Sequence, residues 1–131
     1  MKSLRNLALK SAFLCSIVLL SLNISANTLR AAELVMLEQD GCFYCERWHE
    51  EIGIAYPKTD EGKFAPLRVV NIHDEMPKDL ENLRMEPFTP TFVLMNEGVE
   101  IGRLRGYTGD EFFWFLLNDL IKKIKTETDD T

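Results

Sequence analysis

Short apolar runs separated by polar turns predict four β-strands along this chain. Residues 33–38 come first, and their apolar centre is typical of a strand that is buried on both faces. Similar runs predict strands at residues 67–72, 91–95 and 99–104. Asn-Glu-Gly at residues 96–98 separates the last two runs, so we expect them to pair as an antiparallel hairpin.

Helical spacing replaces the strand pattern directly after the first run. From position 42 onward, apolar residues recur at steps of three and four, which predicts a helix that Pro57 ends or kinks. The apolar residues of this helix are Cys45, Trp48, Ile52 and Tyr56. The charged residues between them predict a solvated face, and these are Glu46, Arg47, Glu50 and Glu51.

The remaining segments complete an alternating order of strands and helices. Residues 58–66 are polar and predict a loop, residues 78–84 predict a short helix, and a long amphipathic helix is predicted to end near Lys125. The order is β-α-β-α-β-β-α. The first two strands should be parallel, because a helix connects them. The sequence therefore predicts an α/β fold with a mixed four-stranded sheet between two layers of helices.

The first 26 residues have the features of a secretory signal peptide. Three basic residues within the first ten precede an apolar stretch at residues 11–24, which is short for a spanning helix. Ser25 and Ala26 then offer small side chains for cleavage; an uncleaved membrane anchor is the alternative. We therefore expect a signal peptide at 1–26, a linker at 27–32, one domain at 33–125 and a disordered tail at 126–131.

Removal of the signal peptide would make the chain more acidic. The whole chain carries a net charge of −6, and residues 27–131 carry −9, from 12 basic and 21 acidic residues. Phosphate binding needs clustered cations, so we expect no nucleic acid among the partners.

Two of the three cysteines form a single motif. Cys15 lies within the expected signal peptide, which leaves Cys42 and Cys45. A disulfide between them would close a very small loop and would constrain the unfolded chain little. Stability is therefore a poor reason for the pair, and redox chemistry is a better one. An inert disulfide or a metal clip is the alternative.

The chain resembles the thioredoxin superfamily over residues 33–124. The resemblance rests on Gly-Cys-Phe-Tyr-Cys at residues 41–45, at a strand-to-helix junction, and on Thr-Pro-Thr-Phe at residues 89–92, which opens a later strand. Residues 55–62 (Ala-Tyr-Pro-Lys-Thr-Asp-Glu-Gly) also resemble exported thioredoxin-like proteins of bacterial sulfur-oxidation (Sox) systems. This resemblance implies a thioredoxin-like α/β/α fold and thiol–disulfide oxidoreductase activity in the periplasm, without a cofactor.

The resemblance also assigns roles to individual residues. Cys42, at the helix start, is expected to be the nucleophile that forms a mixed disulfide with the substrate, and Cys45 is expected to resolve it. Pro90 is expected to be cis and to face the two sulfurs, while Thr89 offers backbone groups to an extended substrate. Phe43 and Tyr44 are expected to line the contact surface.

The sequence departs from the thioredoxin pattern in how it would handle protons. Thioredoxins carry a buried acid six residues before the first cysteine, where this chain has Met36; Glu38 or Glu46 is a candidate substitute. His49 lies four residues after Cys45 and could join the two thiolates in a zinc or copper site. A surface histidine is the plainer interpretation, so we expect no metal.

Together these features predict an exported, monomeric reductase of protein disulfides. Its electrons would come from a membrane electron donor of the disulfide-reductase transporter type, and its substrate could be the sulfur-carrier protein of a Sox system. A periplasmic disulfide donor is the first alternative. A metal-binding or chaperone-like module is the second.

Overall fold

Four strands form the centre of the molecule. The computed structural model describes residues 32–129, with side chains described as far as Thr126. The expected signal peptide and residues 27–31 of the expected linker lie outside this range, whereas Ala32, which was also predicted to be linker, is the first residue of a strand. The strands are β1 (Ala32–Glu38), β2 (Leu67–Asn71), β3 (Thr91–Asn96) and β4 (Val99–Arg105).

The strands form one mixed sheet in the order β2-β1-β3-β4. Strand β1 pairs in parallel with β2, with Met36 opposite Val69. On its other side β1 pairs antiparallel with β3, where Met36 lies opposite Phe92. Strands β3 and β4 form the expected antiparallel hairpin. The predicted mixed four-stranded sheet and α/β class are confirmed.

In the described part of the chain, three α-helices accompany the sheet. They are α1 (Phe43–Trp48), α2 (Asp60–Phe64) and α3 (Asp110–Asp129). Helix α1 continues into a π-helix at His49–Gly53, and a 3₁₀ turn follows at Tyr56–Lys58. The helix predicted from position 42 to Pro57 is therefore three successive helical pieces.

Aromatic side chains fill the core between the sheet and these helices. Trp48, Tyr56 and Phe92 are fully buried, and the ring of Phe113 lies 5.0 Å from that of Phe92 and 5.5 Å from that of Trp48. The ring of Trp114 stacks on Tyr56 at 6.0 Å. Rings packed at these distances stabilise the contact beyond the area they bury, so this cluster fixes α1 and α3 against the sheet.

The opposite face of the sheet is covered by a mostly irregular segment. Val35, Leu37 and Val93 pack there against Leu80 and the half-buried Leu83. The prediction of a helix over residues 78–84 is wrong in extent and type, because the structure has a single 3₁₀ turn at Lys78–Leu80. Leu80 and Leu83 are three residues apart, a spacing that a 3₁₀ turn aligns on one side.

The prediction of a polar loop at residues 58–66 is also wrong, because this segment contains α2. The Thr59 hydroxyl caps this helix by accepting a hydrogen bond from the Gly62 N–H at 3.0 Å, and it donates to the Tyr56 carbonyl at 2.8 Å. Asp60 and Glu61 occupy the first turn, where carboxylates favour the positive end of the helix dipole. The signal for this helix was present in the sequence as Thr-Asp-Glu.

The last helix is longer than predicted. Helix α3 continues four residues beyond Lys125 to Asp129, into the segment predicted to be a disordered tail; residues 130 and 131 lie outside the described range. Within residues 32–129, no helix is long and apolar enough to cross a membrane. The apolar stretch at residues 11–24 lies outside the part of the chain to which this finding applies.

Candidate active site

The two cysteines lie where β1 ends and α1 begins. A turn at residues 39–41 reverses the chain, and Gly41 adopts a φ of 68°, a conformation that side chains with a Cβ rarely take. Cys42 is the N-cap of α1 with an extended backbone, and its carbonyl accepts hydrogen bonds from the N–H groups of Cys45 and Glu46, both at 3.0 Å. The first turn of the helix therefore positions both sulfurs.

Cys42 and Cys45 are joined by a disulfide, with their Cα atoms 5.2 Å apart. Cys45 is buried at 3% exposure, whereas Cys42 is only partly buried. The Cys45 N–H also donates a hydrogen bond to the Cys42 sulfur at 3.2 Å. A helix N-terminus and a directed N–H group both favour negative charge on a sulfur at this position. The arrangement suits a reactive outer sulfur and a sheltered inner one.

The segment around Pro90 meets the cysteine motif at the same edge of the sheet. Leu37, near the end of β1, lies opposite Thr91 at the start of β3. The Gln39 side chain donates to the Thr89 hydroxyl at 3.0 Å, and the Gln39 carbonyl accepts from the Cys42 N–H at 3.3 Å. Gln39, which the sequence analysis did not single out, thus connects the two motifs.

The residues expected to bind substrate differ in exposure. Phe43 and Tyr44 are exposed, at 68% and 52%, and their rings meet edge to face at 5.4 Å. Thr89 is half-buried, and within residues 32–129 its backbone N–H and C=O have no hydrogen-bond partner. Pro90 is buried behind a cis peptide bond, and its carbonyl accepts from the Gly106 N–H at 2.7 Å. An edge with free backbone groups therefore lies next to an exposed aromatic pair.

A network of three side chains lies beside the motif, formed by Arg47, Glu51 and Tyr107. Arg47 and Glu51 were predicted to lie on a solvated helix face, and Tyr107 was not predicted to take part in the site. Arg47 donates from Nε to Glu51 at 2.8 Å, and the Tyr107 hydroxyl donates to the other oxygen of Glu51 at 2.6 Å. The guanidinium of Arg47 lies over the Tyr107 ring, 5.6 Å from its centroid. The hydrogen bonds from Tyr107 and Arg47 lower the pKa of Glu51, while burial and the nearby carboxylate raise the pKa of Tyr107.

This network borders a groove next to the disulfide. The groove has a volume of about 390 Å³ and is lined by Tyr44 and Arg47 from α1 and by Gly106, Tyr107 and Thr108 from the loop after β4. Gly106 adopts a φ of 79°. The glycines at 106 and 109 were the sequence signal that this loop has an unusual backbone, and they did not identify Tyr107 as a partner of α1.

The proposed substitutes for the missing acid lie in different surroundings. Met36 is fully buried, and Glu46 is exposed on α1. Glu38 reaches His49, with its carboxylate oxygen 2.6 Å from Nε2 of the histidine. Leu34 and Met36 face the helices, so the period of two along β1 places Glu38 on the same side. Within residues 32–129 no group of three His, Cys, Asp or Glu side chains is placed to hold a metal ion.

Comparisons with known proteins identify a solved structure with high similarity. It is the crystal structure of the periplasmic thioredoxin SoxS from Paracoccus pantotrophus in its reduced form. The identity is 52%, the match covers 70% of this chain and 96% of that one, and the TM-score is 0.66. A scan against protein-family models gives no match, and a search of curated proteins gives none either.

Proposed function

The chain belongs to the thioredoxin superfamily, to the type represented by periplasmic SoxS, and is a thiol–disulfide oxidoreductase; we propose that it reduces protein disulfides in the periplasm. The 52% identity to a periplasmic thioredoxin over nearly the whole of that chain carries this proposal. The position of a CxxC pair at a helix start supports it, because thiolates formed there are stabilised as nucleophiles.

The two cysteines would divide the reaction between them. In the reduced protein, the Cys42 thiolate attacks one sulfur of a substrate disulfide, that bond breaks, and the departing substrate thiolate takes up a proton. The Cys45 thiolate then attacks the Cys42 sulfur and releases the second substrate thiol. Two electrons pass to the substrate, and the protein is left with the Cys42–Cys45 disulfide. The greater exposure of Cys42 supports its role as the attacking residue.

A surface around the motif would hold the substrate. The unpaired backbone groups of Thr89 can add an extended substrate segment in the manner of a new strand. Phe43 and Tyr44 can cover apolar side chains near the substrate disulfide, since both are exposed. Pro90 is buried next to this edge, and its carbonyl accepts a hydrogen bond from the Gly106 N–H.

Export is the second part of the proposal. We infer that residues 1–26 form a signal peptide, that a short linker follows it, and that the domain extends from β1, which begins at Ala32, to the end of α3 at Asp129; a membrane-anchored form is compatible with the same apolar stretch. The periplasmic location of the similar thioredoxin supports export.

A periplasmic reductase must be re-reduced, so we propose a membrane electron donor of the disulfide-reductase transporter type. We also propose a monomer, with the sulfur-carrier protein of a Sox system as one substrate.

Reduction of insulin and of a sulfur-carrier protein tests the activity. The reduced protein should reduce disulfides in both of these substrates, and Cys42→Ser should abolish this activity while the fold is kept. Equal activity in Cys42→Ser would overturn the assignment of the nucleophile. Equilibration with glutathione gives the direction of electron flow: a potential of about −270 mV is expected for a reductase, and one of about −120 mV would make the protein a disulfide donor.

A further inference from the structure

We propose that the groove beside the disulfide binds an acidic side chain of the protein substrate, with Arg47 as the residue that selects it. This inference rests on the proposed reduction of protein disulfides and adds a substrate preference to it. The groove is the one lined by Tyr44, Arg47, Gly106, Tyr107 and Thr108.

The position of the groove ties it to the reacting sulfurs. Tyr44 lies between the two cysteines in the chain and also lines the groove. On the opposite wall, the Gly106 N–H donates to the Pro90 carbonyl at 2.7 Å, which holds the loop against the edge that includes Thr89. A substrate segment whose cysteine reaches Cys42 would therefore pass close to the groove. Its volume of about 390 Å³ is ample for one side chain.

The charge of the groove favours a carboxylate. Of the five residues that line it, one carries a charge, which is the guanidinium of Arg47. Arginine has five N–H donors, and within residues 32–129 only the Nε–H of Arg47 has an acceptor. Glu51 accepts from the Arg47 Nε through one oxygen and from the Tyr107 hydroxyl through the other, and it takes no hydrogen bond from the terminal nitrogens of Arg47.

Arg47 is also held in place before any substrate arrives. Glu51 fixes its Nε, and the ring of Tyr107, itself 3% exposed, lies beneath the guanidinium at 5.6 Å. A side chain that is already oriented loses less conformational freedom on binding, and a planar guanidinium can meet a carboxylate with two parallel hydrogen bonds. A cation oriented in this way selects a carboxylate over an amide of the same shape.

The space above the loop is open to such a ligand. A Cβ built on Gly106 would meet no atom within 4 Å beyond Gly106 and its two chain neighbours, so no other described residue fills the space on that side of the glycine. The acidic residues that neighbour Arg47 on the helix, Glu46 and Glu50, are exposed and do not line the groove. The groove therefore combines room, an oriented cation and proximity to the disulfide.

The test compares two peptides that differ in charge alone. Each is a symmetrical disulfide dimer of a short cysteine peptide with one variable position, Glu in one and Gln in the other, moved to successive positions on either side of the cysteine. The reduced full-length protein is mixed with each in a single-turnover assay. At low salt, we expect the best Glu peptide to be reduced about 1.4- to fivefold faster than its Gln partner, the range for one exposed ion pair.

Three variants give the result its meaning. Arg47→Gln should remove the preference for Glu, so that the two peptides are reduced at the same rate, and Arg47→Lys should keep part of the preference. Lys58→Gln removes the same charge from an exposed site away from the groove and should leave the preference intact. Loss of the preference in Lys58→Gln, or equal slowing of both peptides in Arg47→Gln, would overturn the inference. Reduction of neither peptide by the unaltered protein would instead overturn the proposed function, and this inference with it.

Discussion

Tyr56→Phe isolates the contribution of one buried hydrogen bond to the stability of the fold. The Tyr56 hydroxyl donates to the Ala65 carbonyl at 2.8 Å, and both residues are fully buried. The bond links residue 56, before α2, to residue 65, directly after it, and so closes the segment that connects α1 to β2. Burial raises the pKa of Tyr56 well above its usual range, which agrees with an environment that excludes water.

The expected cost follows from what the substitution leaves behind. Phenylalanine preserves the ring contacts with Trp48 and Trp114, so the change is confined to the hydroxyl group. The hydrogen bond is lost, and the Ala65 carbonyl stays buried without that donor, which costs about 1–2 kcal/mol. For a domain of about this size, that loss lowers Tm by roughly 4–16 °C.

Urea and thermal unfolding of the oxidised protein, followed by circular dichroism, measure this loss. The midpoint should fall while the slope of the unfolding free energy with urea stays the same, because the exposed area on unfolding hardly changes. Tyr107→Phe is the matched control, since it deletes the same hydroxyl from a bond to the partly exposed carboxylate of Glu51. Water can replace that donor, so we expect a smaller loss.

The pH dependence separates the two variants further. The pKa of Glu51 is lowered in the folded protein, so the stability that its partners provide is present above the ordinary pKa of a glutamate and is lost as pH falls through the lower, folded value. The deficit of Tyr107→Phe should therefore shrink in acid, whereas that of Tyr56→Phe should persist, because a carbonyl does not titrate. A Tyr56→Phe protein as stable as the parent, or a deficit that disappears in acid, would refute this reasoning.

Two further substitutions test other parts of the fold. Glu86→Gln should destabilise the protein at neutral pH, because Arg105, Arg103 and Arg84 hold the pKa of Glu86 at about 2; by urea unfolding, the difference from the parent should disappear as pH falls from about 4.5 toward 2. Gly62→Ala should cost at least about 2 kcal/mol in the same assay, because its Cβ would lie 1.9 Å from the Tyr56 carbonyl oxygen; Gly98→Ala, whose Cβ meets nothing but whose φ is 79°, should cost less, about 1–2 kcal/mol.

The elements that could be predicted are those with a local hydrophobic pattern. The apolar centre of β1 is fully buried, and the helical spacing of Cys45, Trp48, Ile52 and Tyr56 corresponds to four buried positions. These patterns arise because a strand or helix repeats its direction toward the core every two or three to four residues. The parallel orientation of β1 and β2, the hairpin of β3 and β4, and the position of the CxxC pair between a strand and a helix followed from such patterns and from the connections between the elements.

The short elements were less predictable, because they hold too few residues to show a period. Helix α2 has five residues and depends on the Thr59 cap more than on an apolar face. The segment at 78–84 offers two apolar residues, Leu80 and Leu83, and such a spacing fits an α-helix and a 3₁₀ turn equally well. In both places the cap or the turn decided the structure.

Long-range side-chain partners in the candidate site had no signal in the sequence. Glu51 and Tyr107 are 56 residues apart, and their hydrogen bond arises only when the loop after β4 folds against α1. The pairing of Glu38 with His49 likewise depends on the packing of α1 over β1. The local pattern indicated a solvated helix face at Arg47 and Glu51, because charged residues on an exposed helix look alike whether or not a distant residue binds them.

Trapping with Cys45→Ser tests the central claim most directly. Without a resolving thiol, a protein that attacks substrates through Cys42 should accumulate as a mixed disulfide, and mass spectrometry of the isolated adduct should place the bond on Cys42 and identify the partner protein. Cys42→Ser should yield no such adduct under the same conditions. A Cys45→Ser protein that captures no disulfide-linked partner, or a Cys42→Ser protein that captures as much, would contradict the assignment of Cys42 as nucleophile and Cys45 as resolving residue.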